Sequence, residues 1–562
     1  MLKLTTLIRP LAATAIAVAM ILPASQAVAA DRPSLVIAVN KLPRGLEPAV
    51  RTGNVDVRVT YSIFDTLIRR DFLASKQGNA SKLKPGLATS WKRISPTTLE
   101  LELRKGVKFH NGDAFTADDV LFTFSKDRVR GKKAAIPSGR RYFDNIDKVE
   151  KLSDHKVRFI TKKPDLVLEQ RLSSYSSWIV NKNAYYKFKA DGEAAAKAEM
   201  AKMKAAAAAG EKKKKKKKGP KPHWMNLAIK ERTWAPIGTG PYKFKDWKSG
   251  DYVALVANDN YFLGKPAAKA VTFKLVPEVS ARIAGLVSGE YDMIVEIPPD
   301  QLAVLKRYKD IKTKSVVLDN SHVIVFNTKH KVMKDKKIRQ ALSLAIDRQK
   351  LIDALWGGKT FTPNGHQLPA FGKNYDKTRV GYRYDPAEAK KLLKASSYKG
   401  EPVSYRFIPG YYTNSTEAAQ IIQEMWKSIG FKIKLEPVEN FKAVRAKGAA
   451  IYPWSNTYRY PDPAGAIYVL WGPKAAVQRK YKFWKAPDSF NNAMEEMLGS
   501  GDASARSKIF QKSLDIFEDE MPGTLLYNPI ASYGLRKGVE FTPYSLYFMD
   551  LRPDNLKITA KN

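Results

Sequence analysis

Residues 414–436 read NSTEAAQIIQEMWKSIGFKIKLE: a capping start, an apolar stripe at helical spacing, a glycine stop, then an alternating strand. Asn414 is expected as the cap, Glu417 in the first turn, and Gly430 at the helix end. The same grammar recurs along the chain. DPAEAKKLLKA offers Asp385 as cap, Pro386 at the first helical position and Glu388 in the first turn. Thr116 precedes ADDVLFTFSK, with Asp119 in its first turn, and PEVSARIAGLVSGEYDMIVEI gives a helix, Gly289 and a strand. DKKIRQALSLAIDRQKLIDALWGG is expected as one long amphipathic helix, capped by Asp335 and ended by Gly357; Ile338, Leu342, Ile346, Ile352 and Leu355 share its apolar face. SLVIAV (34–39) reads as a buried strand and TLELELRKGVKFH (98–110) as paired strands. Helices alternating with strands restrict the chain to α/β lobes rather than a bundle or a sandwich.

A chain of 562 residues is too long for a single core, so two or three lobes are expected. Lys3 and Arg9, the short apolar run LAATAIAVAMIL and the small residues AVAA make residues 1–30 a secretory signal peptide, cut after Ala29 or Ala30. No later segment reaches the roughly twenty apolar residues of a membrane span, and there is no cysteine to carry a lipid or a disulfide. A soluble periplasmic protein is expected. Its formal charge of +42 suits nucleic acid, an anionic envelope surface or an anionic ligand. Part of that charge is local, because residues 193–222 join an alanine-lysine stretch to a seven-lysine run and a Gly-Pro break. Such a segment has no apolar face to bury and reads as an exposed insertion, a solvated spacer rather than a specific binding arm.

Catalytic motifs are missing. The histidines at 110, 155, 223, 322, 330 and 366 form no HExxH pair, and there is neither a G-x-S-x-G elbow nor a P-loop; GTGPYKF stops short of a dinucleotide fingerprint. A hydrolase working through a carboxylate pair leaves no sequence signature and stays open as a third reading. No enzyme, cofactor or metal is expected. The loop YRYPDP (458–463) raises another question. Pro461 and Pro463 cannot donate to a sheet, so it is a shaped loop; taken alone it suggests a surface turn with an Arg459–Asp462 ion pair.

An ordered set of segments resembles the peptide/nickel-type (family 5) solute-binding proteins of ABC importers. It comprises KPGLATSW, LRKGVKFHNGDAFTADDVLF, IGTGPYKF, NDNYFLGKP, FNTKHKVMKDKKIRQALSLAIDRQKLI, AAQIIQEMWKSIGFKIKLE and YPDPAGAIY. The resemblance implies a bilobed, type II-like periplasmic-binding-protein fold with an extra subdomain in the first lobe. Its boundaries are expected at 31–61, 62–231 (the subdomain), 232–274 and 525–562 for lobe 1, and 275–524 for lobe 2. It also implies an inner-membrane ABC permease with ATPase subunits as partner, and a small peptide or related organic solute as cargo. A monomer without specific nucleic-acid binding is expected. In peptide-binding relatives a carboxylate three residues before the Asp-Pro aspartate holds the peptide's α-amino group; here that place is Arg459. A guanidinium repels an ammonium and suits carboxylate or phosphate. Tyr460, Asp462, Trp454 and Asn456 belong to the same cleft stretch. Tyr411 and Tyr412 of PGYYTN, and Asn40 and Arg44 of NKLPRGLEP, complete the expected lining. The competing function is an envelope interaction protein that binds anionic surfaces through its lysine-rich insertion.

Overall fold

A computed structural model of the protein describes residues 32–50, 52–187 and 236–559, with isolated positions between 193 and 205. The expected signal peptide and residues 206–222 of the insertion lie outside the described residues.

Two sheets organise the chain. The first lobe is built on seven strands in the spatial order Ile311–Val317, Ile530–Arg536, Met293–Val295, Ser34–Val39, Ala270–Leu275, Tyr252–Ala257, Tyr242–Lys248. Ser34–Val39 runs parallel to both its neighbours, with Ile37 opposite Phe273 and Met293, and its apolar residues are buried as SLVIAV requires. The second lobe is built on five strands, Ile433–Pro437, Val403–Phe407, Ile451–Thr457, Asn320–Phe326 and Gly523–Tyr527. A four-stranded antiparallel sheet (Ala88–Ser95, Thr98–Leu103, Lys156–Thr161, Ile146–Ser153) forms the core of the subdomain.

The strand order moves one expected boundary. Met293–Val295 and Ile311–Val317 belong to the sheet of Ser34–Val39, although both lie inside the 275–524 segment assigned to lobe 2. The chain crosses between lobes at Leu318 and Asp319, and returns at Asn528 and Pro529. The two crossings lie side by side. Leu318 N–H donates to the Pro529 carbonyl (3.0 Å), and the Asn528 amide donates to the Leu318 carbonyl (3.3 Å). Each is two residues long and continues a strand into the opposite sheet, the construction of a hinge.

IGTGPYKF explains itself through contact. A Cβ on Gly238 would stand 2.0 Å from the Ile63 carbonyl oxygen, and one on Gly240 would stand 2.6 Å from the same carbonyl group. Only glycine lets this segment lie against the end of helix Asn54–Ile63, where Gly240 N–H bonds the Ile63 carbonyl. The expected long helix is two helices, Lys336–Leu344 and Arg348–Trp356. Asp347 breaks it by accepting from Lys350 N–H as a new N-cap, and Arg348 folds back onto the Ser343 and Ile346 carbonyls. Asn414 precedes helix Ser415–Ser428 in the left-handed region and caps nothing; its amide donates instead to the Leu355 carbonyl (2.7 Å).

Candidate functional site

The lobes face each other across the residues that follow the first strand and those that line the edge of the second sheet. In the first lobe, Asp56 closes the start of helix Asn54–Ile63. It accepts from Gly53 N–H (3.0 Å), Arg44 N–H (2.8 Å) and the Arg44 guanidinium (2.5 Å). Arg44 therefore carries its own counter-charge and leaves 45% of its side chain in solvent, so it is not the free cation that its loop position suggested.

In the second lobe, strand Ile451–Thr457 leads into the YRYPDP loop. Asp462 does not pair with Arg459. Its carboxylate takes two 2.6 Å bonds from Arg506 and a third from Ala464 N–H (2.8 Å), all buried, which holds the loop's shape from within. Arg459 points to the other lobe. Its Nη1 donates to the Thr52 carbonyl (2.9 Å) and its guanidinium lies 4.0 Å over the Tyr175 ring, while Ser174 Oγ donates to its carbonyl oxygen. The residue is 8% exposed and its Nε is buried without a partner. The expected surface ion pair is thus replaced by a buried contact across the lobes.

The other expected residues divide. Asn40, Tyr411 and Tyr412 line one small cavity, together with Glu296, His322 and Tyr547. Asn40 Oδ1 faces it without a hydrogen-bond partner. Burial pushes the His322 imidazole down to about 3, so this ring is neutral at physiological pH. Trp454 is half-buried, edge-on to Trp471 (5.8 Å). Asn456 is fully buried and accepts from Trp471 Nε1 (3.1 Å), a role inside the lobe. Tyr460 turns away into a second small cavity, shared with Arg140, Arg141 and Tyr468 between the subdomain and the second lobe.

Sequence reading missed the groups that tie the lobes together. Glu296 accepts from Arg58 (2.7 Å) on its own lobe and from Thr413 Oγ1 (2.8 Å) on the other. It does so from a left-handed backbone (φ 56°) that a glutamate adopts only when its contacts impose it. Ser455 Oγ accepts from Asn54 (3.1 Å) and Asn320 (2.7 Å), joining the first helix to the second sheet. No local pattern announces such groups, because each partner lies more than a hundred residues away in the chain. Glu296, in the tripeptide VEI, directly follows strand Met293–Val295.

Two lobes hinged by paired crossings and meeting over a polar-aromatic cavity have the architecture of a solute receptor. A family model, Bacterial extracellular solute-binding proteins, family 5 Middle, matches residues 82–478. The chain belongs to this family. Among curated relatives of this family 5 protein, Di/tripeptide-binding protein 1 of Pseudomonas aeruginosa is 27% identical over 544 residues, covering 91% of this chain and 93% of the relative. Among solved structures, the dipeptide binding protein of Pseudoalteromonas sp. SM9913 in complex with Met-Leu superposes with a TM-score of 0.79 at 21% identity, over 94% of this chain and all of the other. AgaA of A. tumefaciens R10 in complex with agropinic acid gives 0.74 at 21% identity, over 94% and 99%. At this identity the two structures establish the shared fold.

Proposed function

We propose that this family 5 protein is the periplasmic receptor of an ABC importer. It captures a small peptide or a related organic solute between its lobes and hands it to an inner-membrane permease driven by ATPase subunits. The observation that carries the reading is the bilobed cleft itself: Asn40 and Glu296 of one lobe and His322, Tyr411 and Tyr412 of the other wall one cavity beside the hinge. A curated relative that shares nine-tenths of the chain is a di/tripeptide-binding protein. The same fold holds Met-Leu in one neighbour and agropinic acid in another, so the lining residues choose the solute, not the fold. Among the described residues no helix is long and apolar enough to cross a membrane.

The experiment is to purify the protein from cells grown in rich medium, release the retained solute by denaturation, identify it by mass spectrometry and return it to refolded protein. A low-molecular-mass solute that rebinds one to one and lowers the radius of gyration in small-angle scattering is expected. Recovery of no solute and no compaction would remove the receptor reading. Chemical conversion of the returned solute would point to the hydrolase instead.

A further inference from the structure

Three guanidiniums stand near the junction of the lobes and the subdomain without forming an ion pair, one of them, Arg141, in the second cavity that Asp144 and Glu495 also line. Arg459 is described above. Arg445 follows the short helix Phe441–Val444 and lies over the rings of Tyr481 (4.7 Å), Phe441 (4.8 Å) and Tyr452 (5.7 Å); it donates to Tyr481 Oη (3.2 Å), and its Nε is buried without a partner. Arg141 comes from the subdomain helix Arg140–Phe143, with its guanidinium 5.0 Å over the Tyr142 ring and its Nε likewise buried and unpartnered. Burial and the like charge of Arg459 hold Arg141 below the ordinary guanidinium range, against the opposing pull of the Tyr142 and Tyr481 phenols. The subdomain thus supplies one arginine and the second lobe the other two. The wall continues toward the cavity, since Phe441 stacks edge-on to Tyr411 (4.7 Å).

This arrangement departs from the way the chain treats most of its other buried arginines, although Arg130 and Arg282 also lack an ion pair and donate three hydrogen bonds each to carbonyls. Arg69, Arg128, Arg171, Arg506 and Arg552 each form an ion pair. Arg339 and Arg348, which have no carboxylate, are saturated instead: each donates five hydrogen bonds. Arg459, by contrast, gives one bond to a carbonyl and Arg445 gives one to a phenol. Arg459 is buried and Arg141 and Arg445 are half-buried, and neighbouring cations so placed without counter-charge are unfavourable unless something else supplies it. The open cleft supplies water; the closed cleft has to supply an anion.

We propose that the solute presents an oxyanion, carboxylate or phosphate, to Arg459, Arg445 and Arg141, and carries no ammonium at that end. The proposal rests on the receptor reading and names the substrate class of the same cleft. The planar forks suit an oxyanion's geometry.

The test titrates solute-stripped protein by calorimetry with alanylalanine, N-acetylalanylalanine and glycerol 3-phosphate. An ammonium-free probe should bind at least about tenfold more tightly than alanylalanine, and which one does so tells carboxylate from phosphate. Arg459→Ala should weaken that binding by about ten- to a hundredfold, and Arg459→Lys by less, with urea unfolding confirming that both variants are folded. Alanylalanine binding as tightly as either other probe would overturn the oxyanion assignment while leaving the receptor intact. If none of the three binds, the solute retained on purification decides. An amine-free acid or phosphate that Arg459→Ala fails to retain supports the assignment. A solute lacking such a group, or retained equally by Arg459→Ala, overturns it; no retained solute overturns both readings together.

Discussion

Asp462 and Arg459 are three residues apart, yet the structure gives them opposite tasks. Asp462 serves the loop: Arg506, 44 residues on, grips it with two buried bonds. Asp462→Ala leaves that guanidinium buried without its counter-charge and is expected to cost about 3–5 kcal/mol in urea unfolding. Arg44→Ala is expected to cost less than Asp462→Ala, because the Arg44 side chain is 45% exposed and Asp56, though buried, keeps its two backbone donors. Equal costs for the two variants would show that burial does not rank these pairs. The sequence made Arg459 conspicuous by its place in a recognisable loop, but it could not give the direction in which the side chain points. The neighbour in sequence looked like the partner; the actual partners, Thr52 and Tyr175, come from the other side of the cleft. Arg141 and Arg445 carried no expectation from sequence for the same reason.

Elements whose boundaries depend on local chemistry were legible. Asp385 caps its helix by accepting from Glu388 N–H (2.9 Å), Asp119 bonds Thr116 N–H (3.1 Å), and Gly289 and Gly430 take the left-handed stop. The break between Lys336–Leu344 and Arg348–Trp356 was not, since Ile346 and Ile352 continue the apolar stripe straight through it. The one local sign was Asp347, a good cap placed mid-stripe. Asp347→Ala should destabilise the second lobe by about 1 kcal/mol, measured by chemical denaturation, and a neutral result would assign the break to Arg348 alone. Contacts between lobes belong to the same scale. Thr413→Val removes the one bond that Glu296 receives from the second lobe while leaving the Arg58 pair, itself only 3% exposed on the arginine side. The expected outcome is unchanged global stability with the open form favoured by about 1.5–3 kcal/mol, the worth of a hydrogen bond to a charged group, seen as a larger mean radius of gyration. An unchanged radius would mean that this bond does not hold the lobes together.

At the scale of the whole molecule, two α/β lobes and an added subdomain could be anticipated from alternation and length, whereas the crossing points could not. Strands Met293–Val295 and Ile311–Val317 look, in sequence, like the start of a second lobe; only their pairing with Ser34–Val39 and Ile530–Arg536 places them in the first. Sheet membership is a long-range choice, and alternation alone is blind to it. Acid sensitivity is likewise a property of the assembled chain. Burial pushes His110 down to about 4, and both His322 and His366 to about 3, the last helped by the charge of Arg379. These folded values lie below the unfolded value of 6.5, so the unfolded state binds protons that the folded state refuses. Stability present above about pH 6.5 is therefore lost as pH falls toward 4, by up to about 1.4 kcal/mol per pH unit for each histidine. Unfolding midpoints in urea between pH 7 and 5 should fall accordingly, and His322→Gln should flatten the slope by about one proton. A flat profile in the wild-type protein would contradict the burial of these rings.

The most direct measurement of the central claim is a crystal structure of the protein with the solute it retains on purification. The solute should lie between the seven-stranded and five-stranded lobes, with an oxyanion within hydrogen-bond distance of Arg459. A solute bound outside that cleft, or one that turns an ammonium or an apolar group toward Arg459, would contradict the account.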